Sequence, residues 1–548
     1  MNENFVRLRR VRLGLLIAAA FAGTTASAGD LNPGGDWSIR WDNTIKYSMG
    51  YRVESPRSDL LGPNLDDGNR SLQKGLVSNR FDLLSEFDVQ KDGFGLRASA
   101  AGWYDRVYNR PNDHDSPGTA NRRTVAWNEF TPGSRETAGR DAELLDLFVF
   151  GSNRIGDATL SYRLGQHSLI WGTSMFFGMN GIAKGMAPID VYKLSIPGAQ
   201  AKETTLPVPR VSGTLQLTDD TSVEAYVQLK YRRTRLHPAG SYLSSTDMLG
   251  DGAERFFIGD PALNGRQCGS TAVAPAQRFA NCYLDSTGVS AAPGTKSAGL
   301  ALNTRSSALD ADLGFYALRY VDSSQYIETN TAAGTYRLVV PKEPVTAIGA
   351  SISRLVGIAN IGLEMSVRDK QQLAVKEAVI TGADPSYVTG RTAHVNLSWT
   401  AIMGATSLWS GSSLVGEIAV GHVMRIDDVR TRVGGRFPVG TAKVNTDRNK
   451  NGVGMRMIWT PTFYQALSGL DLSVPVNVGW SFKGKSMIDN SFPFGGSPDR
   501  GGEIIVGLSG TYLNKWIGNV TAIHYVGKPD SQALLDRDYL RFSVQTSF

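Results

Sequence analysis

Between Trp37 and Val53 the chain alternates with a period of two. Trp37, Ile39, Trp41, Ile45, Tyr47, Met49, Tyr51 and Val53 share one face, broken only by Asn43. Ser38, Arg40, Asp42, Thr44, Lys46, Ser48, Gly50 and Arg52 share the other. Such alternation marks a strand with one apolar and one polar face. A tilted strand needs about 9 to 11 residues to cross a bilayer, so this one can span a membrane and project beyond it. The end of the chain repeats the pattern, with Leu540, Phe542, Val544, Thr546 and Phe548 set against Arg541, Ser543, Gln545 and Ser547. A chain that stops in mid-strand leaves an edge open to other chains, and a closed barrel removes that edge by pairing the last strand with the first. Trp37, Trp41, Phe542 and Phe548 are therefore expected at the seam of a barrel. A large soluble β-sandwich, whose strands also alternate, is the competing architecture.

Further strands are predicted at 80–90, 94–107, 142–150, 158–164, 208–217, 223–231, 309–321, 336–352, 359–367, 393–401, 414–423, 453–459, 472–482, 504–512 and 516–526. Their connections alternate in length. Glu54 to Leu76 and Tyr108 to Arg140 are long and polar, whereas Lys91-Asp92-Gly93, Gly151 to Asp157 and Thr218 to Thr221 are short. Long outer loops and short periplasmic turns distinguish an outer-membrane barrel from a sandwich, whose loops need not sort this way. With the two ends included, 17 strands are counted, yet a barrel with both termini on the periplasmic side needs an even number. Parity breaks between Arg232 and Tyr336, so a strand is hidden there. The expected fold is all-β, a transmembrane antiparallel β-barrel of about 18 strands, with 16 as the alternative.

The N-terminus changes the picture by fixing the compartment. Arg7, Arg9, Arg10 and Arg12 precede an apolar run from Leu13 to Ala22 and a small-residue site at Ala26-Ser27-Ala28, which reads as a secretory signal peptide over residues 1–28, cut after Ala28. The remainder, 29–548, is read as the barrel, and it contains no run of 18 apolar residues that could be a spanning helix. Four arginines and Glu3 in the leader carry +3 of the formal +6, so the mature chain keeps about +3. No Lys/Arg-rich run marks a nucleic-acid patch, and no nucleic acid is expected as partner. The two cysteines, Cys268 and Cys282, fall within a long polar stretch at 232–308 that reads as an extracellular loop, and in an exported chain they favour a disulfide.

One connection differs from the rest. His167 to Arg210 carries Trp171, Met175, Phe176, Phe177, Met179, Met186, Tyr192 and Leu194 among glycines and prolines. An exposed loop this apolar is an aggregation liability or a binding site. Folding 168–207 into the lumen resolves the conflict, because a barrel of this size leaves a channel unless something fills it. Methionine and aromatic side chains form an adaptable apolar surface. Trp171, Met175, Phe176, Phe177 and Met179 are the expected substrate contacts, with Arg163 and Asp190 as polar orienting groups. The alternative is that the apolar residues only pack the loop against the wall.

The same stretch carries a family resemblance. LGQHSLIWGTSMFF, APIDVYKLSIPGAQAKE, GDWSIRWDNTIKYS near the mature start and the terminal strand resemble the Gram-negative exported proteins grouped as domain-of-unknown-function family 1302. Gly165-Gln166, Trp171-Gly172 and Pro197-Gly198 are the most specific parts. The resemblance implies an outer-membrane location and an association with the handling of hydrophobic compounds, without a settled activity.

Catalytic and metal signatures are sparse. The six histidines, at 114, 167, 237, 394, 422 and 524, lack metal-ligand spacing, and neither a G-x-S-x-G elbow nor a P-loop is present. Asp447 to Gly452 begins like a calcium loop, but position twelve is Ile458 where a Glu is needed, so it reads as a turn. If apolar rows face lipid, then Arg40, Lys46, Arg52, Arg80, Asp82, Glu86, Glu364 and Arg368 face the lumen, either bracing the wall as ion pairs or lining a solute path. The expected function is an outer-membrane channel or passive transporter for hydrophobic or amphipathic small molecules, without cofactor or catalytic site. A general diffusion porin and a barrel-embedded lipid or ester hydrolase are the alternatives. Expected partners are outer-membrane lipid and lipopolysaccharide, the outer-membrane assembly machinery acting on the C-terminal strand, a hydrophobic solute, and periplasmic or inner-membrane transport components.

Overall fold

The structure, a computed structural model, describes residues 29–30, 36–186, 188–196, 201–257, 283–292, 294, 296–330, 333–374, 379–380, 388–427, 445–488 and 498–548. Ala28, Cys268 and Cys282 lie outside the described residues. Eighteen antiparallel strands close into one barrel. In chain order they are β1 Trp37–Arg52, β2 Gly75–Lys91, β3 Phe94–Asp105, β4 Arg140–Ile155, β5 Ala158–His167 and β6 Val208–Thr218. Then come β7 Thr221–Gln228, β8 Ser297–Ser306, β9 Ala311–Tyr320, β10 Val345–Val356, β11 Ala359–Leu373 and β12 Val388–Met403. The last are β13 Gly411–Ile426, β14 Asn451–Leu467, β15 Leu470–Ser473 continued by Val476–Lys483, β16 Gly501–Tyr512, β17 Trp516–Val526 and β18 Tyr539–Ser547. Pro475 sits in the gap of β15, where a residue without an N–H cannot join the ladder.

The seam runs between β1 and β18, with Met49 opposite Phe542 and Thr44 opposite Ser547. Beyond it, Asn43 and Phe548 exchange backbone hydrogen bonds at 2.8 and 2.9 Å. Trp37 and Trp41, expected at the seam, instead lie on the part of β1 that β18 leaves uncovered, because β18 ends too early to reach them; there Gly29–Asp30 pairs with Trp41 and Arg40. Every second connection is a short turn. In the β2–β3 turn, Asp92 and Gly93 have φ of 50° and 81°, both left-handed, which matches the twist of a two-residue hairpin. Outward rows are apolar and exposed, as at Leu147, Val149, Leu300, Leu302, Ile504, Val506 and Leu508, with Trp37, Phe94 and Trp516 at the short-turn rim. The inward rows are polar and largely buried.

Two sequence expectations need correction. The predicted 232–308 loop is interrupted by β8, the hidden strand that parity demanded. The predicted strand 336–352 is two elements: Thr335–Val339 belongs to a second sheet, and β10 starts at Val345 after Pro341 and Pro344. That second, five-stranded sheet also contains Arg255–Phe257, Tyr283–Val289, Tyr326–Asn330 and Val379–Ile380, all from long connections.

The long connections pack over the mouth. Leu72, Tyr108, Phe130, Tyr192, Ile196 and Tyr242 form one buried cluster with the wall residues Tyr525 and Tyr539. His237, in the β7–β8 connection, stands edge-on to Tyr192 with ring centroids 6.0 Å apart. Burial, with Arg537 and Arg541 nearby, pushes its pKa down to about 4. A neutral buried histidine stabilises fully above its unfolded value of about 6.5, and that stability drains as pH falls towards the folded value. The loop cluster is therefore expected to lose about 2 kcal/mol between neutral pH and about pH 5. Limited proteolysis of the loops at about pH 7.5 and about pH 5 checks this; His237→Phe should abolish the difference.

Candidate functional site

The segment between β5 and β6 enters the barrel and is held there by two carboxylates from the far wall. Glu364 of β11 accepts the N–H of Thr173 at 2.6 Å and of Ile182 at 2.5 Å. Glu417 of β13 accepts three consecutive amides, Met175 at 3.0 Å, Phe176 at 2.5 Å and Phe177 at 3.0 Å. Its second oxygen takes the Ser174 hydroxyl at 2.8 Å and the Asn396 amide at 2.6 Å. Hydrogen bonds to a charged acceptor contribute about 1.5 to 3 kcal/mol each, and converging amides form an anion-binding concavity.

Opposite polarity completes the grip. Arg368 of β11 donates to the carbonyls of Met179, Asn180 and Gly181 at 3.2, 2.5 and 2.8 Å. Asn180 donates to Asn396 and stands 2.8 Å from His394 Nδ1, whose Nε2 lies 2.8 Å from the Thr392 hydroxyl. Lys184 pairs with Asp322 at 3.3 Å, and Gln371 donates to the same carboxylate. Burial alone would raise Asp322, but the Lys184 ammonium, the Ser324 N–H and Gln371 hold its pKa below the usual carboxylate range. A carboxylate shifted this way keeps its stabilising contribution until the pH falls below about 4, so this tie survives mild acid.

Glycine permits the approach at two points. Gly172 has φ of +95°, and a Cβ there would stand 2.0 Å from Glu364 Oε2. A Cβ on Gly181 would stand 2.8 Å from Glu364 Oε1.

The structure separates the residues singled out in the sequence. Trp171 is only 5% exposed, packed edge-on to Tyr226 at 5.2 Å between centroids, and its indole N–H donates to Glu224 at 2.9 Å. Phe177 is equally buried, against Ala419. Both pack the segment against the wall. Met175 is 49% exposed, and its sulfur accepts from the inward Thr400 hydroxyl at 3.8 Å. Phe176 and Met179 are half-buried. Arg163 is exposed on the inner row of β5, its guanidinium carbon 5.7 Å from the Phe148 ring centroid. Asp190 is buried, capping the helix Val191–Leu194 and pairing with Arg235 at 2.7 Å.

Of the charges assigned to the inner face, Arg52 pairs with Asp536 at 3.2 Å, Arg80 with Asp82 at 2.8 Å and Glu86 with Arg97 at 2.6 Å. Arg40 pairs with Asp42 at 2.6 Å, and Lys46 faces Glu203 at 3.9 Å. Below the segment, on the side of the short turns, a recess of about 400 Å³ opens between Thr173, Asn303, Arg305, Asp312, Tyr316 and Ser351. Most of the residues that line it are polar, with Leu313 and Tyr316 among them. His167 Nε2 stands 2.7 Å from Ser212 Oγ, but Nδ1 faces the Gly165 carbonyl and not a carboxylate, and both residues are buried. That pair lacks the orienting acid and the access that acyl transfer needs.

Glu417, Asn180, His394 and Asn396 were missed in the sequence. The available signal was a lone carboxylate on the inner row of the otherwise apolar run LVGEIAV.

A closed wall with an apolar outside, polar inside, sorted loops and an inward segment defines an outer-membrane β-barrel. More narrowly, the chain belongs to the family described as protein of unknown function DUF1302, whose model matches residues 9–548. A comparison with curated protein sequences gives no match. Among solved structures, the chain is similar to the crystal structure of Acinetobacter baumannii OccAB3, with 10% identity and a TM-score of 0.41 over 93% of this chain and 99% of that one. Pseudomonas aeruginosa OccK2 (OpdF) in complex with glucuronate aligns at 9% identity and TM-score 0.39, over 93% and 97%. A BenF-like porin from Pseudomonas fluorescens Pf-5 aligns at 9% and 0.40, over 95% and 100%.

Proposed function

We propose that this protein is a passive outer-membrane channel for amphipathic and hydrophobic small molecules, with residues 168–207 forming its constriction. The supporting observation is the sidedness of that segment. Trp171 and Phe177 anchor it, while Ile170 and Met175 remain 54% and 49% exposed, above a recess lined by hydroxyls, amides and charges. A solute with an apolar body and a polar end meets both surfaces in sequence, and the flexible thioether adapts to varied shapes.

The test is uptake into proteoliposomes of a solute series with one polar group and growing alkyl chains, against sugars of matched size. Rates that exceed those of the sugars, and fall several-fold in an Ile170→Glu, Met175→Glu double variant, are expected. Rates that follow size alone in both proteins would establish a general diffusion porin instead. Removing the whole segment should raise conductance and erase the preference together.

A further inference from the structure

Outside the channel, the extracellular loops bury three carboxylates that conduction does not use. Asp66 and Asp67 lie in the β1–β2 connection and Asp247 in the β7–β8 connection. They are 1%, 1% and 0% exposed, and their carboxylate oxygens come within 4.8 Å of one another. Neighbouring cations are shared unequally. Arg70 binds Asp66 Oδ2 at 2.7 Å, and His114 and Arg122 face Asp67 at 3.0 and 3.8 Å. Arg537 is near Asp247 but directs its Nη1 to the carbonyls of Tyr242 and Ser244. Asp247 itself accepts the Asp67 N–H at 3.2 Å, and among the described residues no cationic side chain pairs with it.

Most of the free valences in this knot are oxygens, although Arg537 Nε, near Asp247, is a donor without an acceptor. Oδ1 of Asp66 and Oδ1 of Asp247 have no hydrogen-bond donor. Two neutral side chains add to them. Asn121 is 2% exposed; its backbone N–H binds Asp67 and its Nδ2 is satisfied, yet its Oδ1 has no donor. Ser241 is 1% exposed with an unpartnered Oγ, and its carbonyl stands so close to Gly68 that a Cβ there would be 2.4 Å away. Orphaned buried acceptors are rare in folded proteins, and two within one carboxylate cluster call for a missing partner. Carboxylate, amide and hydroxyl oxygens at irregular spacing suit a hard divalent cation that tolerates flexible geometry. Burial, then the neighbouring acids, holds Asp247 well above the usual carboxylate range; burial likewise raises Asp66.

We propose that Asp66, Asp67 and Asp247 bind a divalent cation of calcium type, clamping the β1–β2 and β7–β8 connections to each other over the extracellular mouth. Asn121 and Ser241 stand beside the ion and bring the β3–β4 connection into the same knot.

The test uses the full chain refolded into detergent without lipopolysaccharide, which binds cations itself, and stripped with chelator. Calorimetric titration with calcium should show one saturable site per chain, with Kd of about 10⁻⁴ to 10⁻³ M, the range of extracellular sites. Calcium should also slow proteolysis of the loops several-fold. Asp247→Asn and Asp66→Asn, checked as folded barrels by heat-modifiable migration, should lose both effects. The proposal fails if wild-type protein shows no saturable site, or if both variants bind as it does. It also fails if calcium is without effect while Asp247→Asn stabilises the loops, since Asp247 is then carried as a neutral acid.

Discussion

Replacing Glu417 by alanine is expected to release the lumen segment and give a larger, noisier conductance. The carboxylate is fully buried and accepts the amides of Met175, Phe176 and Phe177, the Ser174 hydroxyl and the Asn396 amide. Each buried donor left without an acceptor costs about 1 to 3 kcal/mol, and water admitted to the lumen offsets part of that. A net loss of about 3 kcal/mol shifts the docking equilibrium by about two powers of ten. Glu417→Gln keeps the shape and one acceptor and should lie between the two. Single-channel recording decides it: an alanine variant with wild-type conductance and noise would mean that the segment is held by other contacts.

Gly172→Ala is expected to reproduce the loss of Glu364. The new Cβ would stand 2.0 Å from Glu364 Oε2 on a backbone of φ +95°, so both space and conformation oppose it. The carboxylate must leave the amides of Thr173 and Ile182, or the turn must unwind. Gly178→Ala is the control, because the nearest atom to its Cβ is Ala183 Cβ at 3.7 Å, an ordinary contact. Conductance and solute flux in Gly172→Ala should match Glu364→Ala, while Gly178→Ala stays near wild type. Equal behaviour of the two glycine variants would overturn the role given to Gly172.

The wall was legible because lipid on one side and a polar interior on the other impose period two on almost every strand. β8 escaped because its inward row is Gly299, Ala301 and Asn303, and its apolar row is little more than Leu300 and Leu302. Thr335–Val339 was merged with β10 because it too is a strand, although its partner lies in the other sheet. The lumen segment stood out by composition, yet composition cannot say which apolar side chains are anchors. That depends on where Glu364 and Glu417 place the backbone, and they lie 191 and 242 positions from the amides of Thr173 and Met175. Arg368 was placed on the inner face correctly, but its partners are backbone carbonyls, which no pattern of side chains announces.

That separation along the chain also bears on biogenesis. The segment precedes β11 and β13 along the chain, so until those strands are in place its methionines and phenylalanines have no docking surface. Insertion of the wall and the inward swing of the segment are then separate events, the second able to start only when the barrel is two-thirds made. Variants that weaken the grip should reach the membrane in normal amount and differ only in what they let through.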